Sequence, residues 1–367
     1  MHIAVLTSAH PRFDIRIFIK ECKSLVATGH RVTLVVADGL GNTVRDGVDV
    51  LDVGKATGRA GRMTKSVYRV YRAAMRLNAD VYHFHDPELL VAGLLLRLAD
   101  KKVVYDVHED VPRQILSKPW IRPLIRKVIS RTFELFENAA VSTFSAVVAA
   151  TPTIRDRFLP HNAKTVDVNN FPILEELTPA ADWSQKQHAV CYIGGITRVR
   201  GIMEALAAVA DTDATLLLAG AFNESSLEQA ARQHSGWQRT DFAGMLDRHG
   251  VAQLLSKSKV GLVTLHPIPN YLDALPIKLF EYMAAGIPVI SSDFPLWREI
   301  VDDAGCGLCV DPLDPQATAE AIRTLLSNDE AAKAMGASGR RAVEGKYQWA
   351  NEARKLVALY AGFEGAH

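Results

Sequence analysis

Residues 270–292 read NYLDALPIKLFEYMAAGIPVISS. Pro276 stands where a helix would open, since Pro is favoured at the first helical position, where its missing N–H would be unbonded anyway. The pattern predicts a helix from 276 to about 285, ended by Gly286 and kept from resuming by Pro288, then a short buried strand at 289–291. Such a helix start, here Ala274, Leu275, Pro276 and Ile277, offers unpaired backbone N–H groups and the positive end of the dipole, a natural seat for a phosphate. Lys278 and Glu281 are three apart and share one face. A cation beside a phosphate seat and a carboxylate one turn on suit a nucleotide. The same spacing suits an ordinary surface Lys–Glu pair equally well.

Working outward, 367 residues are enough for two domains of ordinary size, and 48% hydrophobic residues are ample for their cores. No apolar run is long enough to span a membrane. The opening MHIAVLTSAHPRF enters a strand pattern at once, so no signal peptide and a cytoplasmic setting are expected. Four cysteines (Cys22, Cys191, Cys306, Cys309) make no disulfide framework, and the C-x-x-C of the last two lacks a second ligand pair; reduced, buried thiols are expected, and no metal site. Net charge is +1 but uneven. Residues 1–170 hold 25 Lys+Arg against 17 Asp+Glu, a balance of +8, and the remainder 17 against 24, a balance of −7. The basic half is a candidate for an anionic partner.

In chain order, strand 2–7, helix 15–28 and strand 32–37 form a β-α-β unit, which implies parallel strands and a right-handed crossover. Its first loop, SAHPRFDIR, lacks G-x-G-x-x-G, which disfavours a nicotinamide or flavin enzyme. Strands at 80–83 and 102–106 are followed at once by His85 and Asp86, and by His108, Glu109 and Asp110. Parallel sheets bind ligands at such carboxyl ends. Segments 62–77 and 112–138 read as basic amphipathic helices, the latter with Trp120 near one end; a membrane interface and a cation-edged core helix fit equally. The first domain is expected over 1–172, a polar linker over 173–188 and a second β-α-β series over 189–347, with a last helix at about 348–367 packing back on the first domain. In the second series Gly194-Gly195 open a loop, Arg198 and Arg200 precede helix 202–209, and Gly220 closes strand 216–219. The fold class is α/β, two doubly wound, Rossmann-like parallel-sheet domains facing a cleft.

FAG at Phe242–Gly244, EYMAAGIPVI at Glu281–Ile290, the following SSDFPLWREIVDDAGCGLCVDPLDP and the loop GGITRVRG resemble the carboxyl-terminal domain of retaining glycosyltransferases of family 4, which have the GT-B fold. GHRVTLV, HFHDPE and YDVHED extend the resemblance into the first half. It implies that Glu281 binds the ribose hydroxyls of a nucleotide sugar and that Asp273, eight residues earlier, stands where the family has a glutamate on the donor hexose. In the family's G-R-x-x-x-x-K loop, Gly195 takes the arginine position and Arg200 the lysine position, and Arg198 supplies the missing cation. Lys278 lies near the diphosphate. Gly220, Gly244, Met245 and Leu246 complete the donor side. His108 matches the first-domain histidine on the donor sugar, and His10, Arg12, His85 and Asp86 stand on the acceptor side, where the usual Gly-Gly is replaced.

The expected activity is therefore metal-independent, retaining transfer of a hexose-type sugar. The donor would be a UDP-sugar or GDP-sugar, with no further cofactor. The acceptor would be a glycan or lipid-linked hydroxyl in cell-surface polysaccharide or lipopolysaccharide assembly, with an anionic membrane surface as a further partner. His108, Asp273, Arg200 and Lys278 are the expected catalytic set. Loss of the diphosphate puts negative charge on the leaving group, and preorganised cations and amides meet that charge. Nucleic acid is not expected, since no recognised module accompanies the basic helices. A sugar-nucleotide 2-epimerase of the same fold and a non-catalytic sugar-nucleotide-binding protein remain as alternatives. The sequence leaves the oligomeric state open.

Overall fold

Near-continuous apolar strands such as IAVL, LVV and AVCYI are the mark of a parallel sheet covered on both faces. The computed structural model, which describes residues 1–118, 120–179 and 182–364, has two such sheets. They belong to two compact units, Met1–Asn170 with the chain from Ala350 onward, and Phe171–Trp349.

The first sheet comprises β1 (His2–Leu6), β2 (Arg31–Val36), β3 (Thr43–Arg45), β4 (Val48–Asp52), β5 (Val81–Phe84), β6 (Lys102–Val107), β7 (Ala146–Ala149) and β8 (Thr165–Asp167), in the order β3-β4-β2-β1-β5-β6-β7-β8. Only the β3–β4 pair is antiparallel. The second comprises β9 (Ala189–Ile193), β10 (Thr215–Ala219), β11 (Thr240–Gly244), β12 (Val260–Val263), β13 (Val289–Ser292) and β14 (Gly307–Val310), in the order β11-β10-β9-β12-β13-β14, all parallel. Winding reverses between β1 and β5 in one sheet and between β9 and β12 in the other. Ligands enter doubly wound sheets at the crevice outside such switch points. The second unit packs Leu279, Phe280, Met283 and Trp297 on one face of its sheet and Ile202, Leu206, Ile290 and Ile322 on the other.

Three expectations are corrected. Segment 112–138 is not one helix but two, Val111–Leu116 and Pro123–Val141, the second opening with Pro123 in its first turn. The linker expected over 173–188, of which residues 180 and 181 lie outside the described residues, belongs to the second unit. Phe171 and Leu177 are buried in its core, and Lys186 Nζ donates to the carbonyls of Leu255, Ser256 and Ser258 at 3.3, 3.0 and 2.9 Å. The polar composition masks these few anchors. Pro276 is the residue before the helix rather than its first: with φ −69° and ψ 122° it caps Ile277–Ala284.

The chain's last helix is Trp349–Glu364; residues 365–367 lie outside the described residues. From Ala350 it belongs to the first unit, where Glu352 accepts from the Asn169 amide at 2.7 Å and Lys355 pairs with Asp167 at 3.0 Å.

Candidate active site

Two loops leave the second sheet at its switch point. One follows β9 and carries Gly194, Gly195, Thr197, Arg198 and Arg200; the other follows β12 and runs from Thr264 to Pro276. Their closeness is enforced by glycine. Gly201 has φ +75°, and a Cβ there would sit 1.9 Å from the Thr264 carbonyl oxygen; one on Gly220 (φ +143°) would sit 1.9 Å from that of Gly194. Gly244 (φ +67°) accepts from the Gly220 amide at 2.7 Å, which joins the β11 loop to the same end of the sheet.

Lys278, on the first turn of Ile277–Ala284, is 9% exposed, and its Nζ has no hydrogen-bond partner among the described residues. It lies 3.6 Å from the centre of the Tyr192 ring. Burial, with the Arg200 charge adding, pulls its ammonium down to about 7. Arg200 is held weakly, 3.4 Å from the Gly195 carbonyl and 3.5 Å from the Tyr271 hydroxyl. Thr197 Oγ1, Thr264 Oγ1 and Asn270 Oδ1 are also buried without partners. Buried polar atoms are normally satisfied, so four unsatisfied ones around one switch point mark a place prepared for a polar ligand.

Arg198 and Met245 are exposed, Leu246 packs against the core, and Asp273 is an exposed residue closing the short helix Pro269–Leu272. The helix start offers fewer amides than the sequence suggests. The Ala274 N–H donates to Tyr271 at 3.3 Å, the Ala274 carbonyl accepts from Trp297 Nε1 at 2.7 Å, and Pro276 has no N–H. Leu275 and Ile277 retain theirs. Glu281 Oε1 accepts from Arg248 Nη1 at 2.5 Å, and Arg248 also holds Glu176 at 2.8 Å. Sequence reasoning missed Arg248, because no spacing relates the β11 loop to the helix. Thr264 could have been found: it follows the VGLV run and sits at a strand's carboxyl end, as His85 does.

At the first unit's switch point, Asp86 accepts from the Thr7 hydroxyl at 2.8 Å and from the Ser8 amide at 2.6 Å, and pairs with His10 Nδ1 at 2.8 Å. Burial opposes its charge, but His10 and the other donors hold its carboxyl well below the usual range. Burial opposes the His10 charge too, yet Asp86 raises its pKa. Arg12 is committed to Asp38, at 2.6 and 2.7 Å. His85 Nδ1 lies 3.1 Å from His108 Nε2. Burial pushes His108 well below ordinary imidazole, against the opposing pull of Asp106. Asp86 and Arg12 thus shape the loop, while His10 and His108, with ring centres 5.0 Å apart, line it.

Residues 175–342 match the family described as glycosyl transferases group 1, and residues 20–172 match the glycosyl transferase 4-like domain. The chain is similar to the phosphatidyl-myo-inositol mannosyltransferase of Mycobacterium leprae, 26% identical over 307 residues that cover 80% of this chain and 76% of that protein. In fold it is similar to sucrose-phosphate synthase from Thermosynechococcus elongatus (TM-score 0.79, 18% identity, 100% of both chains). It is also similar to Anabaena HepE in complex with UDP and glucose (TM-score 0.75, 15% identity, 99% and 100%). The chain belongs to the group 1 glycosyltransferases and has the GT-B fold.

Proposed function

We propose that the chain moves a hexose from a UDP- or GDP-sugar to a hydroxyl of a lipid-linked or glycan acceptor in cell-surface polysaccharide or lipopolysaccharide assembly, with retention at the anomeric carbon. The observation that carries this is the set of partnerless buried atoms around Lys278, with the weakly held Arg200 beside it. In this reading Arg200, Arg198 and Lys278 meet the diphosphate charge, so cationic side chains rather than a metal ion stabilise the leaving group. The Leu275 and Ile277 amides add donors, and Glu281 Oε2 is offered to the ribose hydroxyls while Arg248 holds Oε1. Asp273 faces the transferred sugar. Retention follows when the acceptor attacks from the face the phosphate leaves, and that phosphate takes the acceptor's proton.

A lipid-linked acceptor is supported by exposed groups on the first unit. The helices Val67–Leu77, Leu90–Leu98 and Pro123–Val141 are neighbours. Val91, Leu95, Leu98, Leu124, Ile125 and Val128 are exposed on them. Lys65, Arg69, Arg72 and Arg76 line a hollow of about 620 Å³, and Arg122 and Lys127 are exposed near the longest helix's start. Exposed apolar side chains together with exposed cations suit an anionic bilayer surface at the inner face of the cell membrane. Among the described residues no helix is long and apolar enough to cross a membrane.

The test is turnover of UDP- and GDP-hexoses with lipid-extract acceptors. Glu281→Ala and Arg200→Ala should each lower transfer about a hundredfold or more, and full transfer by both would dismiss the reading. Donor incubated alone should yield no isomer; an isomer would point to an epimerase.

A further inference from the structure

We propose that Glu21, His83, His85 and Asp106 bind a divalent transition-metal ion, zinc foremost, in the interior of the first unit. One ligand atom from each of the four lies within 4.8 Å of all the others. His83 Nε2 is 3.7 Å from Asp106 Oδ2, and His85 Nε2 is 3.8 Å from Glu21 Oε2. A tetrahedral ion with bonds of about 2.1 Å separates its ligands by roughly 3.4 Å, so these two pairs need to close by a few tenths of an ångström and the widest pair of the group by up to about 1.4 Å.

All four side chains are buried, and both Glu21 oxygens, His83 Nε2 and His85 Nε2 have no hydrogen-bond partner among the described residues. Glu21 Oε1 faces Arg16, and the other three, gathered in one buried group, are costly unless something sits between them. The opposite edges of the two imidazoles, by contrast, are held, and so is the Asp106 carboxylate on both of its oxygens. The Tyr360 hydroxyl meets His83 Nδ1 at 2.8 Å, His108 Nε2 meets His85 Nδ1 at 3.1 Å, and Arg16 grips both Asp106 oxygens at 2.9 and 3.0 Å. Metal-bound histidines have this arrangement, one nitrogen on the ion and the other N–H donating outward.

Charge points the same way. Glu21 and Asp106 bring two carboxylates, and Arg16, whose Nε lies 3.0 Å from Glu21 Oε1, brings one cation. The imidazoles complete the donor set without adding charge when neutral. Two imidazoles and two carboxylates suit zinc, cobalt(II) or manganese(II). The bound ion would clamp β5, β6 and the first helix together, and through Tyr360 the last helix. It would also fix the His85 proton on Nδ1, so that His108 accepts there and presents its own Nδ1–H.

The rival occupant of this space is a proton on Glu21. The full-length chain, free of any histidine tag and stripped with a chelator, is titrated with Zn2+ and with Co2+. One equivalent of Zn2+ should raise the melting temperature, and Co2+ should give the visible d–d bands of a four-coordinate site. Glu21→Gln and His83→Gln should each weaken binding tenfold or more. No bound ion on the wild-type chain, a melting temperature indifferent to Zn2+, or equal affinity in both variants would overturn the proposal; the last would place the ion on the surface. The Co2+ spectrum of the wild-type chain stands even if a variant fails to fold.

Discussion

At the scale of the residue, Lys278 has the most to lose and gain. An unfolded lysine keeps its proton to about pH 10.5, whereas the buried one releases it near 7. Between those values the unfolded chain binds more protons, so this group makes stability rise with pH across that window and adds no slope below it. Urea denaturation from pH 6 to 10 should show the rise, and Lys278→Met should flatten it; an unchanged slope in the variant would assign the effect elsewhere. Arg248 offers a second check. Removing it strands a Glu281 side chain that is 9% exposed, so Arg248→Met should cost about 1–3 kcal/mol in equilibrium unfolding. A cost near zero would mean that the pair is not formed in solution.

At the scale of the element, the loop after β9 depends on Gly201. Alanine there meets both a left-handed backbone (φ +75°) and a carbonyl oxygen 1.9 Å from the new carbon. Gly201→Ala should lower stability by at least about 2 kcal/mol and lower donor affinity with it, because the displaced Thr264 borders the site; a variant as stable as wild type would contradict this geometry. Much of this element was legible beforehand. The spacing of Pro276, Lys278, Glu281 and Gly286 marks the helix, and Gly194-Gly195 before Arg198 and Arg200 mark a loop. What could not be read were contacts between distant loops. Arg248 reaches Glu281, and Trp297 uses the Ala274 carbonyl. Neither pairing leaves a period or a motif, since each depends on how the strands are ordered. The same applies to Glu21, His83, His85 and Asp106, which come from three elements and converge only through the order β1-β5-β6. The supposed linker failed for another reason: two anchors, Leu177 and Lys186, outweigh a polar average.

At the scale of the molecule, the uneven charge of the sequence has a structural counterpart. The first unit carries exposed apolar residues on neighbouring helices and, on one of those helices, a row of arginines lining a hollow. Vesicles containing phosphatidylglycerol should sediment the protein at low salt and release it as ionic strength rises, because exposed charges are screened within about 10 Å at 0.1 M salt. Replacing Leu124 and Val128 with serine should weaken the salt-resistant part. Equal binding to purely zwitterionic vesicles would remove the electrostatic component of this reading. The two sheets share one design: each reverses its winding once, and each has its polar side chains at the reversal. That common plan explains how a family member with few shared residues keeps the GT-B fold.

Calorimetric titration with UDP and with GDP tests directly whether the space around Lys278 and Arg200 receives a diphosphate. The wild-type chain should bind at least one of them with a Kd on the order of micromolar, and Arg200→Ala and Lys278→Met should each weaken that binding about tenfold or more. Wild-type protein that binds neither nucleotide, or two variants that bind as tightly as wild type, would contradict it.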